Sequence, residues 1–163
     1  MPKISMTLSV SSIDKAIKQI EDYKNRLSDK AKRLCERLAY QGAVRVSLGF
    51  ASAIYTGAKD FNVTVEETDK GYRILADGET ALILEFGAGA KYGYGHPLAD
   101  ENGMGPGTYP DAKGHWNDPR GWWIPKERGG GHTYGNPPAM PMYKASREMR
   151  ENVEKVAREV FKT

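Results

Sequence analysis

Cysteine is nearly absent from this chain: Cys35 stands alone among 163 residues, which excludes an intramolecular disulfide framework. Its place inside an apolar helical pattern predicts a small buried hydrophobe rather than a nucleophile. No apolar run approaches the ~20 residues that span a bilayer. Met1-Pro2-Lys3-Ile4-Ser5-Met6 lacks the apolar centre of a secretory signal, so the expectation is a protein made and kept in a reducing cytoplasm. Charge of one sign is scarce as well. The 24 Lys and Arg against 21 Asp and Glu leave a formal charge of +3, too mild and too interspersed to mark a nucleic-acid binder by itself.

Motifs for cofactors are also missing. Gly87-Ala88-Gly89 and Gly103-Met104-Gly105-Pro106-Gly107 do not form a dinucleotide fingerprint in a βαβ setting, and no P-loop pattern occurs, so no cofactor is expected. The three histidines, His96, His115 and His132, are 19 and 17 residues apart, without the close ligand pair that metal sites usually carry. Each is expected to hydrogen-bond carbonyls of the irregular segment around it. Asp100, Glu101, Asp111 and Asp118 share that segment, and beside Gly and Pro they read as turn caps before they read as an acid/base pair. A metal-dependent hydrolase built on these groups is kept as an alternative.

What the chain does have is one unusual stretch. Residues 88–138 hold all three Trp, all three His, 12 of the 18 Gly and seven of the nine Pro. Loops of this length without secondary structure are uncommon unless they bind something. Aromatics so dense (Tyr92, Tyr94, Tyr109, Trp116, Trp122, Trp123, Tyr134) carry the apolar mass that disordered segments lack, and should be buried against the chain itself or a neighbour. Tyr109, Trp116, Arg120, Trp122, Trp123 and Tyr134 are the candidate interface, since Trp, Tyr and Arg dominate binding hot spots. The same aromatics with Arg120, Lys126 and Arg128 could instead stack single-stranded bases.

Around this stretch the pattern is regular. Ile13, Ile17, Ile20, Leu27, Ala31, Leu34 and Leu38 recur four and three apart, with Lys24 the one charged break, which predicts a helix over 12–47 capped by Ser11 or Ser12 and able to bend at Gly42. At about 50 Å it exceeds a small domain, so it lies across a sheet or projects to meet a partner; the sheet is favoured over a coiled-coil seam. Phe61, Val63 and Val65, then Tyr72, Ile74 and Ala76, alternate with polar residues around Thr68-Asp69-Lys70-Gly71, a hairpin whose Gly supplies a positive φ. Ala81-Leu82-Ile83-Leu84-Glu85-Phe86 reads as a short helix ending at Gly87. A C-terminal amphipathic helix over 142–161 carries Ala145, Met149, Val153, Val156, Ala157 and Val160 on one face, with Pro141 in its first turn. The expected class is α+β: long N-terminal and C-terminal helices packed on a small antiparallel sheet, one domain over 1–163, and a long loop over 88–138.

In order, Ala81-Leu82-Ile83-Leu84-Glu85-Phe86-Gly87, Gly103-Met104-Gly105-Pro106-Gly107-Thr108-Tyr109-Pro110, Gly121-Trp122-Trp123 and Thr133-Tyr134-Gly135-Asn136-Pro137-Pro138-Ala139-Met140-Pro141-Met142 resemble the tail-completion, or head-tail joining, proteins of long-tailed phages and prophages. The resemblance covers most of residues 10–162, and the chain departs from shorter members by the insertion between Gly87 and Asn136. It implies a non-enzymatic virion-assembly protein that forms a ring, usually six-fold, at the neck. The implied partners are other copies of itself, the connector or adaptor and the tail tube, with DNA passing through the lumen without sequence-specific binding.

Overall fold

The computed structural model describes residues 7, 9–92, 95–104 and 118–162. Its architecture is α+β, as the pattern predicts: helix α1 (Val10–Ser52), a hairpin of β1 (Asn62–Thr68) and β2 (Gly71–Asp77), short helix α2 (Ala81–Phe86), a second small ribbon of β3 (Trp122–Trp123) and β4 (His132–Thr133), and helix α3 (Pro141–Lys162). Tyr94, Tyr109, Asp111, His115 and Trp116 lie outside the described residues.

Helix α1 is longer than expected at both ends. It starts after Ser9 rather than Ser11 or Ser12, with the Ser9 carbonyl accepting from Ser12 N and Ile13 N at 3.0 Å. It runs on through Gly49 to Ser52 because Phe50 is drawn into the core, and burial of a phenyl ring outweighs the weak helix propensity of Gly and Ser. Gly42 and Gly49 are contact points within this single helix. A β-carbon on Gly49 would sit 2.7 Å from Pro141 Cβ, and one on Gly42 would sit 2.3 Å from Met149 Sδ, so the missing side chains let α3 approach closely.

The hairpin has the expected alternation, with Val63 opposite Ala76 and Val65 opposite Ile74. Gly71 closes its two-residue loop at φ 134°, a conformation strained for any residue with a β-carbon. The core lies where α1, the hairpin, α2 and α3 meet: Val46, Phe50, Ala53, Ala81, Leu84 and Ala145, with Phe61 stacked on Phe50 at 5.2 Å between ring centroids. Helix α3 runs antiparallel to α1, bridged by Arg45 to Glu148 and Arg37 to Glu159.

One expectation about α1, the burial of Cys35, needs correction. The C-terminal half of α1 lies on the hairpin and α3; on its N-terminal half Ile13, Ile17, Ile20 and Leu27 are exposed while Ala16 is buried. Cys35 is exposed rather than buried: Leu34 and Leu38 beside it are only half-buried, and among the described residues the close-packed C-terminal part of α1 starts at Ala39, with Ala16 the one buried position before it.

Candidate assembly surface

The aromatic stretch is partly built rather than a bare loop. Ala88 and Asn136 form a bridge, each N–H donating to the other's carbonyl at 3.0 and 3.1 Å. Gly135 sits against it at φ 100°, where a β-carbon would lie 1.9 Å from the Ala88 carbonyl oxygen; only glycine fits. From this clamp the chain forms β4, which pairs with β3 so that Trp122 faces Thr133 and Trp123 faces His132. The tip turns through Lys126–Arg128 and three glycines at positive φ, 129–131, with Ile124 N donating to the Gly131 carbonyl at 2.8 Å.

Strand alternation then sorts the side chains by face. Thr133 is buried and Trp122 half-buried on one side. Trp123, His132 and Tyr134 line the other, edge to face at 5.2 and 5.0 Å between ring centroids. Trp123 is 74% exposed and Tyr134 54%. Rings held this way present a rigid amphipathic surface, and ring contacts within the row reduce the entropy lost when a partner covers it.

Arg120 stands beside β3, its guanidinium fork on Asp118 through Nε at 3.1 Å and Nη2 at 2.9 Å. That hydrogen bond, and the carboxylate charge behind it, raise the Arg120 pKa. The cation is therefore partly neutralised within the chain. Lys126 is exposed at the ribbon tip, and the side chain of Arg128 lies outside the described residues.

The titratable candidates do not converge. His132 belongs to the aromatic row. His96 is buried between the rings of Phe86 at 4.4 Å and Tyr143 at 5.4 Å. Its partner is a carboxylate, Glu85 Oε1 at 3.1 Å from Nε2, rather than the loop carbonyl expected of it, while Nδ1 accepts from Leu98 N at 3.0 Å. A nitrogen that accepts carries no proton, so the ring donates through Nε2 to Glu85. Asp100 and Glu101 are exposed in a single helical turn, Asp100–Asn102, and Asp118 is held by Arg120. Among the described residues no three His, Cys, Asp or Glu side chains are grouped to hold a metal ion. An open groove of about 530 Å³ between α1 and α3 is lined by the Arg37–Glu159 and Arg45–Glu148 pairs, ions already matched to one another.

Glu85 is the residue whose role the sequence did not reveal. Its carboxylate reaches the start of α3, accepting from Met142 N at 2.8 Å and Tyr143 N at 2.9 Å. These first-turn donors have no partner within the helix, and a negative charge there is favoured by the helix dipole. Asn136 adds a bond from Nδ2 to the Ile83 carbonyl at 3.1 Å, and Ala139 N donates to the Leu84 carbonyl at 2.8 Å. The two short motifs around Glu85-Phe86-Gly87 and Asn136 to Met142 thus form one joint. A charged residue in the otherwise apolar run Ala81 to Phe86 was the available signal. Among known proteins, no family model, no curated sequence and no solved structure matches this chain.

Proposed function

We propose that this chain is a structural subunit of the neck of a long-tailed phage or prophage, a tail-completion or head-tail joining component without enzymatic activity. It closes into a ring, six-fold as in the family it resembles, and the Trp123–His132–Tyr134 row docks on the connector or on the tail tube. Assembly takes place in the bacterial host cytoplasm, and the finished location is the virion. The observation that carries the reading is that row: three aromatic rings turned outward on a clamped ribbon, where the half-buried Trp122 and buried Thr133 already serve the chain's own packing. Exposed anchors of this composition are typical of binding hot spots. The mild net charge of +3 suits a lumen through which DNA must pass without being gripped.

A stacking surface for single-stranded nucleic acid uses the same rings, but the fork of Arg120 on Asp118 lowers the cationic contribution such binding needs. Light scattering across a concentration series, with negative-stain images, tests the assembly reading: wild-type protein forms rings. Trp123→Ala with Tyr134→Ala stays folded and loses affinity for connector or tail-tube proteins by tenfold or more. A wild-type monomer at every concentration, together with salt-sensitive quenching of tryptophan fluorescence by oligonucleotides, replaces the assembly reading with the nucleic-acid one.

A further inference from the structure

His96 is a titratable side chain almost wholly enclosed by its own chain, only 2% exposed, and the aromatic surface makes no use of it. The ring lies between Phe86 of α2 and Tyr143 of α3. Its two nitrogens do opposite things. Nε2 donates to Glu85 Oε1 at 3.1 Å, and Nδ1 accepts from Leu98 N at 3.0 Å, two residues further along the chain. The first bond ties the ring to the joint between α2 and α3; the second ties the following turn to the ring.

That turn has few other holds. Ala99 N donates back to the His96 carbonyl at 3.1 Å, Asn102 N and Nδ2 reach the Leu98 carbonyl at 3.3 and 2.8 Å, and Met104 N donates to the Ala99 carbonyl at 2.8 Å. Among the described residues, the hydrogen bonds of 98–104 all close within 96–104. The hydrogen-bonded route from the turn to the rest of the fold therefore runs through the imidazole. Apolar contact adds Ala99, 4% exposed, and the half-buried Met104, while Leu98, Asp100, Glu101 and Asn102 are exposed.

We infer that His96 is a proton-operated latch: uptake of a proton at Nδ1 frees the turn at 98–104 and leaves the joint between α2 and α3 closed. The imidazolium carries a hydrogen on both nitrogens. Nδ1–H then faces Leu98 N–H, donor against donor, and a buried donor without an acceptor is destabilising, so one of the two must move. The Glu85 side has no such conflict. Nε2 donates in both forms, and a charged donor binds a carboxylate more strongly than a neutral one. The ring therefore stays and the turn leaves. This holds for the chain by itself and does not rest on ring assembly.

The surrounding charges leave that choice in place. Glu85 is the one charged side chain of α2. In the first turns of α3, Tyr143 meets the imidazole edge to face, Lys144 lines the groove beside Arg45 and Gly49, and Arg147 is exposed. Residues 136–139 carry no charge. Before His96, Lys91 lies over the Tyr92 ring, and after it Asp100 and Glu101 are exposed.

Nuclear magnetic resonance on the full chain tests the latch. The ring nitrogen shifts of His96 report its tautomer and its protonation as pH is lowered, and amide exchange is followed alongside, each rate relative to the unfolded-chain rate at the same pH. The expected result is a neutral ring carrying its hydrogen on Nε2. As Nδ1 takes a proton, protection at Leu98 falls at least tenfold with the same midpoint, while Met142 and Tyr143, bonded to Glu85, keep theirs. His96→Asn offers Leu98 N an oxygen in Asx-turn geometry that takes up no proton in this range, so its Leu98 amide loses the pH step. Three wild-type results overturn the latch, whether or not the variant folds: constant Leu98 protection while the ring titrates, loosening of Met142 and Tyr143 in the same step, or a ring that stays neutral until the chain unfolds. A folded His96→Asn variant that keeps the step overturns it too.

Discussion

Replacing Glu85 with Gln should weaken the chain far more than its small change in shape suggests. The carboxylate receives three donors: Met142 N on Oε2, and Tyr143 N and His96 Nε2 on Oε1. An amide can keep its oxygen on the side of Tyr143 and His96, but its NH2 then faces Met142 N–H, donor against donor. A buried donor left unpaired costs about 1–3 kcal/mol, and loss of the charge at the start of α3 adds about 0.5–1 kcal/mol. The expected loss is therefore about 1.5–4 kcal/mol, the sum of those two ranges. At about 2–4 °C per kcal/mol for a chain of this size, Tm should fall by about 3–16 °C. Urea unfolding followed by circular dichroism measures the free energy, with Glu101→Gln, exposed in a surface turn, as the control that changes by less than about 0.5 kcal/mol. If Glu85→Gln matched that control, the start of α3 would draw no stability from this carboxylate, and the joint between α2 and α3 would owe its strength to apolar contacts alone.

Gly135→Ala should destabilise the ribbon clamp by about 2 kcal/mol or more, since its β-carbon collides with the Ala88 carbonyl and its φ of 100° is strained for alanine; faster amide exchange at Ala88 and Asn136 than in wild type checks it. The two adjacent tryptophans should separate cleanly. Trp122→Ala costs folding stability, about 1–3 kcal/mol for a half-buried aromatic, whereas Trp123→Ala stays within about 0.5 kcal/mol of wild type and shows its effect in binding. Thermal melts of the two single variants, side by side, decide this, and equal losses would mean the two faces of the ribbon are not distinct.

Much of the fold was legible because its signals are local. A stripe recurring every three or four residues makes a helix wherever it occurs, and period-two alternation around Thr68-Asp69-Lys70-Gly71 makes a hairpin whose glycine takes φ 134°. Pro141 opens α3 and Gly87 follows α2, as their backbone preferences require. The candidate interface was legible only as composition. Which of Trp122 and Trp123 faces outward is settled by strand register, and that depends on the Ala88–Asn136 bridge across 48 residues of sequence.

From the sequence alone came the α+β class, the order of the helices and hairpin, and the stretch in which the aromatic surface would be found. Tertiary structure decided the rest: that Cys35 is exposed, that His96 serves a buried carboxylate, that Glu85 caps a helix 57 residues away, and that the isoleucines at the front of α1 are exposed. The physical reason is one of range. Backbone preferences and hydrophobic periods are properties of neighbours a few residues apart, whereas a buried polar group finds its partner, and an apolar stripe its cover, only after the chain has closed loops whose ends the sequence does not mark.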